Sequence, residues 1–408
     1  MKGLCKMKSI KYYMKAAERR KILSNRKEFY LDYVCRQTGW DRAKAKAEMD
    51  LYLEQGVNYR FYVKKRLWCR TGKKLEASLA NIRKDSRYDK TSTNKHARLV
   101  AEESGWSQKK AVEKILESNL YTECSPRDYY QFRFWEKSIE EQKQYYTKGT
   151  VERMIMKYNT NSEEIAMIRN KEKFAKVFGD LFHRVWFSNR KLTFEEFLKR
   201  TEGLSSLICK PIFGTHGEGV EKLAVPEDME GKRQLYDLIM SKPKSLCEEL
   251  IVQHPELAEM CETSVNTVRL VTILDNDEIH YMYSVLRMGT GGLIDGYEGG
   301  GIFAPVDVTT GTVCRDGMNL DSEFYQVHPV SQKPIKGFQI PNWDKVLKLA
   351  ETAARRLTGV HMVGWDIAVT ENGASLIEGN SESNYQFAQL PYIPEGKGVR
   401  YKFEPFLK

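Results

Sequence analysis

Apolar residues recur along this chain with two different periods, and the change between them divides the sequence. In residues 41–53, Ala43, Ala47 and Leu51 lie four residues apart, which predicts a helix with Asp41 as its N-cap. In the second part of the chain, short apolar runs bounded by glycine, proline and asparagine predict strands instead. We therefore expect an α+β protein with a helical first part.

The helical part also repeats itself. The Gly-Trp pair and the aromatic pairs of residues 38–68 recur in residues 104–135, at offsets of 66 to 68 residues. Each copy predicts a capped helix, a connector and an aromatic-rich basic helix. Two copies are too few for a solenoid, so we predict a helical bundle built from a duplicated hairpin.

Charge separates the same two parts. The net charge is +10, but residues 1–150 hold 35 Lys and Arg against 19 Asp and Glu, and the remainder holds 30 against 36. This asymmetry predicts a basic helical domain over 1–150 and a second, mildly acidic domain over 151–408. Thirteen of the 22 tyrosines also lie in 1–150. Such a surface suits an anionic acceptor, such as a glycan carrier, an acidic peptide or a nucleic acid, and a solvated basic face over buried tyrosines is the alternative.

Composition excludes several classes of protein. No apolar run approaches the roughly 20 residues that span a bilayer, and the basic N-terminus has no apolar core of a secretory signal. The eight cysteines are scattered without CxxC spacing, so we expect neither a zinc site nor a disulfide framework. We expect a cytoplasmic protein with reduced thiols, and peripheral contact with the inner membrane surface is left open.

Candidate metal ligands flank a predicted hairpin. Apolar runs over 363–370 and 375–377 surround Asn372 and Gly373, and Asn-Gly between such runs predicts a tight hairpin. Pairing of the strands would bring Asp366 on the first strand near the carboxylate and amide at the end of the second. Two carboxylates and an amide oxygen are ligands that suit Mg²⁺. An ordinary hairpin with polar ends is the alternative.

A second cluster suits phosphate. Residues 207–211 predict a buried strand that carries Lys210, and a glycine-rich loop over 213–220 follows. Glycines let backbone N–H groups approach phosphate oxygens, and a lysine adds a point charge. The loop matches neither a Walker A nor a Rossmann pattern, so by itself it could also be a hairpin tip.

Three further segments carry charge in apolar surroundings. Residues 246–256 contain paired acids followed by Pro-Glu, where Glu249 could accept from an adenine amine and Glu256 from a ribose hydroxyl. The predicted strands 264–273 and 279–288 each contain one arginine, Arg269 and Arg287, and a charged residue in such a strand is rarely buried without a partner.

In this order the segments resemble ATP-grasp enzymes, and they are closest to the sugar-transfer-associated ATP-grasp family. The segments most similar to that family are 265–269, 300–302, 340–343 and 364–368, within a resemblance that covers about residues 165–395. The resemblance implies a fold in which two α/β subdomains clasp ATP, with a mobile lid over about residues 190–255, preceded by the basic helical domain.

The resemblance also implies roles for individual residues. The implied nucleotide contacts are Lys171, Lys210, Gly214, His216, Gly217, Gly219, Glu249, Leu250, Ile251 and Glu256. The implied Mg²⁺ ligands are Asp366, Glu378 and Asn380. Lys173 is an alternative to Lys171. Many ATP-grasp ligases have an arginine two residues before the aspartate, where this chain has Gly364, so Arg269 and Arg287 become the candidate catalytic residues.

The implied activity is that of an ATP-dependent carboxylate–amine ligase. It would form an amide through an acyl phosphate, on an amino-acid-like amine and a glycan or peptide acceptor. Two alternatives are left open: an ATP-grasp kinase, and a nucleotide-binding module for an anionic polymer without ligase activity.

Overall fold

The computed structural model describes residues 31, 35, 41–54, 90–214, 217, 219–292, 295 and 300–407. The chain splits into two compact units. The first comprises Met1–Lys143, Thr147–Arg153 and Glu404–Lys408, and the second comprises Gln144–Tyr146 and Met154–Phe403. The division falls inside a helix, Lys148–Tyr158, rather than in a linker. The domain boundary at residue 150 stays a prediction.

The described part of the first unit is helical. Its helices, with the one that enters the second unit, are α1 (Arg42–Glu54), α2 (Lys90–Ser104), α3 (Gln108–Thr122), α4 (Pro126–Gln131), α5 (Ile139–Gln142) and α6 (Lys148–Tyr158). The predicted N-cap of α1 is confirmed, because Asp41 Oδ1 accepts a hydrogen bond of 2.8 Å from the Lys44 amide. Ser107 caps α3 in the same way, with its hydroxyl 3.3 Å from the Lys110 amide. The two caps lie 66 residues apart, as the repeat predicts.

The aromatic half of the repeat is described in the second copy only. Residues 129–135 form the end of α4 and a short 3₁₀ turn, Phe134–Glu136, rather than the single basic helix that the pattern predicts. Tyr129 and Phe134 are buried, with their ring centroids 6.0 Å apart. The corresponding residues of the first copy, 61–68, lie outside the described residues.

Most of the excess positive charge precedes α2. Residues 1–89 hold 24 Lys and Arg against 10 Asp and Glu, whereas residues 90–150 hold 11 against 9. The structure describes little of residues 1–89. A docking surface for an anionic acceptor therefore stays a prediction, and it concerns mainly that segment.

The second unit contains a small sheet of four antiparallel strands. These are β1 (Trp186–Ser188), β2 (Ser206–Pro211), β3 (Glu221–Ala224) and β4 (Ser245–Glu249), in the spatial order β1-β4-β2-β3. Its apolar face packs against Phe197, Leu235 and Ile239, which come from the helices Phe194–Thr201 and Met229–Ser241. Alternation along β2 and β4 leaves the other face for polar side chains.

The cysteine prediction is wrong at one pair. Cys209 on β2 lies directly opposite Cys247 on β4, with their Cα atoms 4.2 Å apart, and the two form a disulfide within the buried core of the small sheet. The 38-residue separation gives no spacing signal, since the antiparallel register alone brings the sulfur atoms together. Cys209 does face away from Lys210, as strand alternation predicts.

A larger antiparallel sheet follows. Its strands are β5 (Thr267–Asp275), β6 (Glu278–Met288), β7 (Ile302–Val306), β8 (Gly317–Met318), β9 (Phe324–Tyr325), β10 (Met362–Thr370) and β11 (Gly373–Asn380), in the spatial order β11-β10-β5-β6-β7-β8-β9. The β10–β11 hairpin around Asn372 and Gly373 confirms the predicted turn.

The two faces of the large sheet differ in chemistry. One face packs against helices through buried apolar residues such as Leu270, Leu286 and Trp365. The indole N–H of Trp365 donates a 2.9 Å hydrogen bond to the Thr272 hydroxyl. Alternation then places Arg269 and Asp366 on the opposite side. We call this opposite side the charged face.

The remaining helices of the second unit connect and cover the sheets. In chain order, with the two already described, they are α7 (Ser162–Ile168), α8 (Lys171–Phe178), α9 (Phe194–Thr201), α10 (Met229–Ser241), α11 (Pro255–Ala258), α12 (Trp343–Ala354) and α13 (Gln386–Gln389). The last helix, α14 (Glu404–Leu407), belongs to the first unit. Among the described residues, no helix is both long and apolar enough to cross a membrane.

Candidate nucleotide and metal site

Four charged side chains cross the charged face at neighbouring positions. Glu378 on β11 is opposite Asp366 on β10, and Asp366 is opposite Arg269 on β5. Arg269 lies opposite Val285 on β6, and Arg287 follows Val285 by two residues on that strand. We call Glu378, Asp366, Arg269 and Arg287 the charged row. Strand register therefore assembles two predicted metal ligands and both predicted catalytic arginines in one place.

Asp366 is held by both arginines. Arg269 Nε donates to its Oδ1, while Arg269 Nη2 at 2.7 Å and Arg287 Nη1 at 3.0 Å donate to its Oδ2. Arg287 Nη2 also donates to Asp295 at 2.8 Å. Burial alone would raise the pKa of Asp366, but the two guanidinium charges hold it below its usual range. Asp366 is therefore a buried carboxylate whose charge the arginines stabilise.

Glu378 has the opposite electrostatic situation. Its pKa is raised, because it is buried and lies beside the Asp366 charge, and nearby cations offset only part of that effect. The amide Nδ2 of Asn380 lies 3.5 Å from Glu378 Oε1. A divalent cation would relieve the repulsion between adjacent carboxylates.

The donor set fits Mg²⁺ on one condition. Glu378 and Asn380 supply hard oxygen atoms, but Asp366 must exchange an arginine contact before it can ligate a metal. Within the described part of the chain, no three His, Cys, Asp or Glu side chains form a metal site, so the Asn380 amide is needed to complete the set. The metal role of these residues stays a prediction.

Gly364 leaves room for Arg269. A Cβ atom at residue 364 would lie 3.1 Å from Arg269 Cδ and 2.8 Å from Ser383 Cβ. An arginine side chain at residue 364 would therefore collide with both. The neighbouring strand supplies an arginine beside Asp366 instead.

The two predicted phosphate lysines lie in the same neighbourhood. Lys171 begins α8, and its Nζ donates a 2.8 Å hydrogen bond to the carbonyl of Gly214 in the glycine-rich loop. Burial lowers the pKa of Lys171. The negative charge of Glu378 raises this pKa, and the positive charge of Lys210 lowers it further. Lys171, Lys210 and Glu378 are thus close enough to interact electrostatically. Lys173 is exposed, which favours Lys171 over it as the nucleotide contact.

Sequence reasoning missed Glu248 and Arg184. Lys210 Nζ lies 2.6 Å from Glu248 Oε1, and Arg184 Nε donates to Glu248 Oε2 at 3.1 Å. Burial would raise the pKa of Glu248, but these two cations outweigh it and lower the pKa to about 2. Arg184 Nη1 also donates at 2.8 Å to the carbonyl of Leu376 on β11. Arg184 therefore ties the small sheet to the hairpin that carries Glu378.

The alternation of side chains along β4 could have predicted that Glu248 and Glu249 point to different sides of the strand. Glu248 and Lys210 share a face of the small sheet, whereas Glu249 turns to the edge, where its Oε2 accepts a 3.0 Å hydrogen bond from the Val185 amide. An adenine contact by the Glu249 side chain would compete with this bond. Glu249 as a nucleotide contact stays a prediction.

The other predicted nucleotide contacts lie in loops or on the short helix α11. Leu250 and Ile251 are half-buried in the irregular segment after β4, and Glu256 is exposed on α11. Gly217 and Gly219 have φ angles of 75° and 70°, which favour glycine, and a Cβ at residue 219 would lie 2.8 Å from the Pro211 ring. His216 lies outside the described residues, and the mobility of a lid stays a prediction.

Comparison with known proteins decides the family. Residues 151–404 match the family described as "Sugar-transfer associated ATP-grasp". The chain belongs to this family. The two sheets of the second unit are thus those of an ATP-grasp fold, as the sequence predicts.

Solved structures give more distant likenesses. Carboxyaminoimidazole ribonucleotide synthase from Aspergillus clavatus, complexed with ATP, is 12% identical with a TM-score of 0.36, over 60% of this chain and 54% of that one. The D-alanine–D-alanine ligase from Coxiella burnetii is 10% identical with a TM-score of 0.35, over 59% and 57%. The L-amino acid ligase from Bacillus licheniformis is 12% identical with a TM-score of 0.32, over 56% and 42%.

Identities and TM-scores this low support no inference about function. This ATP-grasp chain also spans only about half the length of those structures. A comparison with curated protein sequences finds no match.

Two substitutions should separate the metal role from the structural role of the charged row. Glu378→Gln removes one of two adjacent carboxylates, so we expect unchanged or higher stability together with loss of Mg²⁺-dependent ATP turnover. Asp366→Asn leaves two buried arginines with less counter-charge and should cost about 3–5 kcal/mol of unfolding free energy. Denaturant unfolding and an ADP assay measure the two effects. A Glu378→Gln enzyme with wild-type turnover would remove Glu378 from the metal site.

The buried Glu248 should give a defined pH dependence. Its pKa is about 2 in the folded protein against an ordinary glutamate value of 4.5, so its ionised form stabilises the fold above pH 4.5. Glu248→Gln should therefore cost about 3 kcal/mol from pH 8 to pH 5, and the difference should shrink as the pH falls from 4.5 towards 2. Urea unfolding at a series of pH values measures it. A difference that already changes between pH 8 and pH 6 would contradict the assigned pKa.

Proposed function

We propose that this ATP-grasp protein is a carboxylate–amine ligase that forms an amide bond through an acyl phosphate. The observation that supports it best is the convergence of Lys171 and Lys210 with the charged row at the junction of the two sheets. Phosphoryl transfer needs positioned cations and a metal more than it needs a covalent nucleophile. This cluster offers both cations and metal ligands.

Each group has a role that follows from its surroundings. Lys171 and Lys210 bind the phosphates of ATP, and Glu248 and Arg184 keep the Lys210 ammonium at the site. Glu378, Asn380 and Asp366 would hold Mg²⁺, which would neutralise phosphate charge. Arg269 and Arg287 bind the substrate carboxylate and stabilise the negative charge of the acyl phosphate.

The reaction balances in two steps. An oxygen of the substrate carboxylate attacks the γ-phosphorus of ATP, the bond to the bridging oxygen breaks, and ADP leaves. The amine then attacks the acyl carbon, a C–N bond forms, and inorganic phosphate leaves as the amine loses a proton. Both arginines donate to Asp366 in this structure, so exchange of one of these hydrogen bonds would leave guanidinium N–H groups available for the substrate.

The acceptor is a finer part of the proposal. A glycan or peptide acceptor with negative charge would dock on the basic residues of the first 150. The charge of residues 1–89 supports this idea, because they hold most of the excess of Lys and Arg. The docking would weaken with rising salt, since exposed charges are screened over about 8 Å at physiological ionic strength.

The products of ATP turnover test the proposed activity. With pools of carboxylates and amino acids, we expect ADP and inorganic phosphate in equal amounts, formed only when both an acid and an amine are present. Lys210→Ala should weaken ATP binding by about 10- to 100-fold, because it removes a charge-assisted contact. Lys222→Ala is the matched control, since Lys222 is an exposed lysine of the same sheet. ADP with a phosphorylated acid that persists when an amine is added would indicate a kinase instead.

A further inference from the structure

A cavity of about 230 Å³ lies beside the charged row and has no role in the steps above. Tyr283 and Pro305 belong to its lining. Val271 on β5 is two residues from Arg269. It lies between Tyr283 on β6 and Gly364 on β10, which are its partners on either side. On β7, Pro305 lies opposite Val285, the residue that faces Arg269. The cavity therefore adjoins the charged row across β5 and β6.

One wall of the cavity is aromatic and held in place by its own contacts. Phe387, Tyr392 and Phe403 line it. Phe403 stacks on Tyr146 with ring centroids 3.7 Å apart, and Phe387 packs on Phe303 at 4.6 Å. Both phenylalanines are buried. An apolar ligand would meet a preformed surface here, which lowers the entropy cost of binding.

The size of the cavity limits the ligand. An apolar cavity of about 150 Å³ holds benzene, so 230 Å³ accommodates a six-membered ring or a branched alkyl group with a few further atoms. A whole sugar nucleotide or a lipid tail would not fit. The volume suits a single amino acid, and the aromatic rings in the lining favour one with a large apolar side chain.

The polar lining includes one lysine, Lys402. Among the described residues, no carboxylate lies within 4.0 Å of Lys402 Nζ, which sits 5.2 Å from the centre of the Tyr392 ring. Asp307 lines the same cavity. Asp307 Oδ1 accepts hydrogen bonds from the Thr309 and Thr310 amides, at 2.8 and 3.2 Å. Lys402 would therefore attract one carboxylate, and Asp307 would repel a second.

We propose that this cavity binds the amine substrate and that this substrate is an α-amino acid with a large apolar side chain. The inference rests on the proposed ligase activity. The reacting carboxylate belongs at Arg269 and Arg287, so a carboxylate held by Lys402 is one that does not react. A molecule with a carboxylate for recognition and an amine for attack is an amino acid. Its side chain contacts the aromatic wall, and its amine faces the charged row past Tyr283.

Binding measurements with four probes test the site directly. Isothermal titration of the full chain would use L-phenylalanine, phenethylamine, L-leucine and L-glutamate, each with and without Mg²⁺ and a non-hydrolysable ATP analogue. We expect saturable binding of L-phenylalanine and L-leucine, at least tenfold weaker binding of phenethylamine, and none of L-glutamate. Failure of both apolar amino acids to bind under either condition would overturn the proposal.

A substitution at the rim sharpens the test. Lys402→Met should weaken the binding of L-phenylalanine at least tenfold and leave the affinity for phenethylamine unchanged, because only L-phenylalanine has a carboxylate. Lys397→Met changes another exposed lysine of the same segment outside the cavity lining and should have no effect. Equal L-phenylalanine affinity in Lys402→Met and wild type would contradict the proposed carboxylate contact.

The outcome is distinct from that of the ligase assay. Binding of the amino acid without formation of an amide would support the proposed binding site and refute the ligase activity. Formation of an amide from amines that do not bind in this cavity would support the ligase activity and refute the proposed binding site.

Discussion

The structure of the site depends on one buried charge cluster, the Asp366 carboxylate between Arg269 and Arg287. A buried ion is costly unless its partners satisfy it, and these three side chains come from three adjacent strands, β10, β5 and β6. A slip of β10 by one residue would turn Asp366 into the apolar core and Trp365 out of it. The cluster and the core therefore specify the same register, and that register places Glu378 beside Asp366.

The small sheet joins this centre through a second buried cluster. Arg184 contacts Glu248 on β4 and the Leu376 carbonyl on β11, while Glu248 also holds Lys210. Positive and negative groups thus alternate from the small sheet to the charged row. This arrangement compensates the buried charges of Glu248 and Asp366 before ATP arrives, and it leaves the lysine ammonium groups near the position that the phosphates would take.

Local patterns predicted those parts of the site that lie within one segment. Asn372 and Gly373 gave the hairpin, and the strand before the glycine loop gave Lys210. Contacts between distant segments were beyond such reasoning. Arg269 and Asp366 are 97 residues apart, Arg184 and Glu248 are 64 apart, and Cys209 and Cys247 are 38 apart. The Arg269–Asp366 and Cys209–Cys247 pairs depend on strand register, which the sequence of either strand alone does not determine, and Arg184 lies in the bend before β1.

We expect the charged row and the two lysines to form one ATP site, and a crystal structure with Mg²⁺ and a non-hydrolysable ATP analogue would show whether they do. Mg²⁺ should lie at about 2.1 Å from oxygens of Glu378 and Asn380. The triphosphate should contact Lys171 and Lys210, and at least one arginine should turn away from Asp366. A nucleotide bound away from both lysines, or a metal that touches neither Glu378 nor Asn380, would refute this shared site.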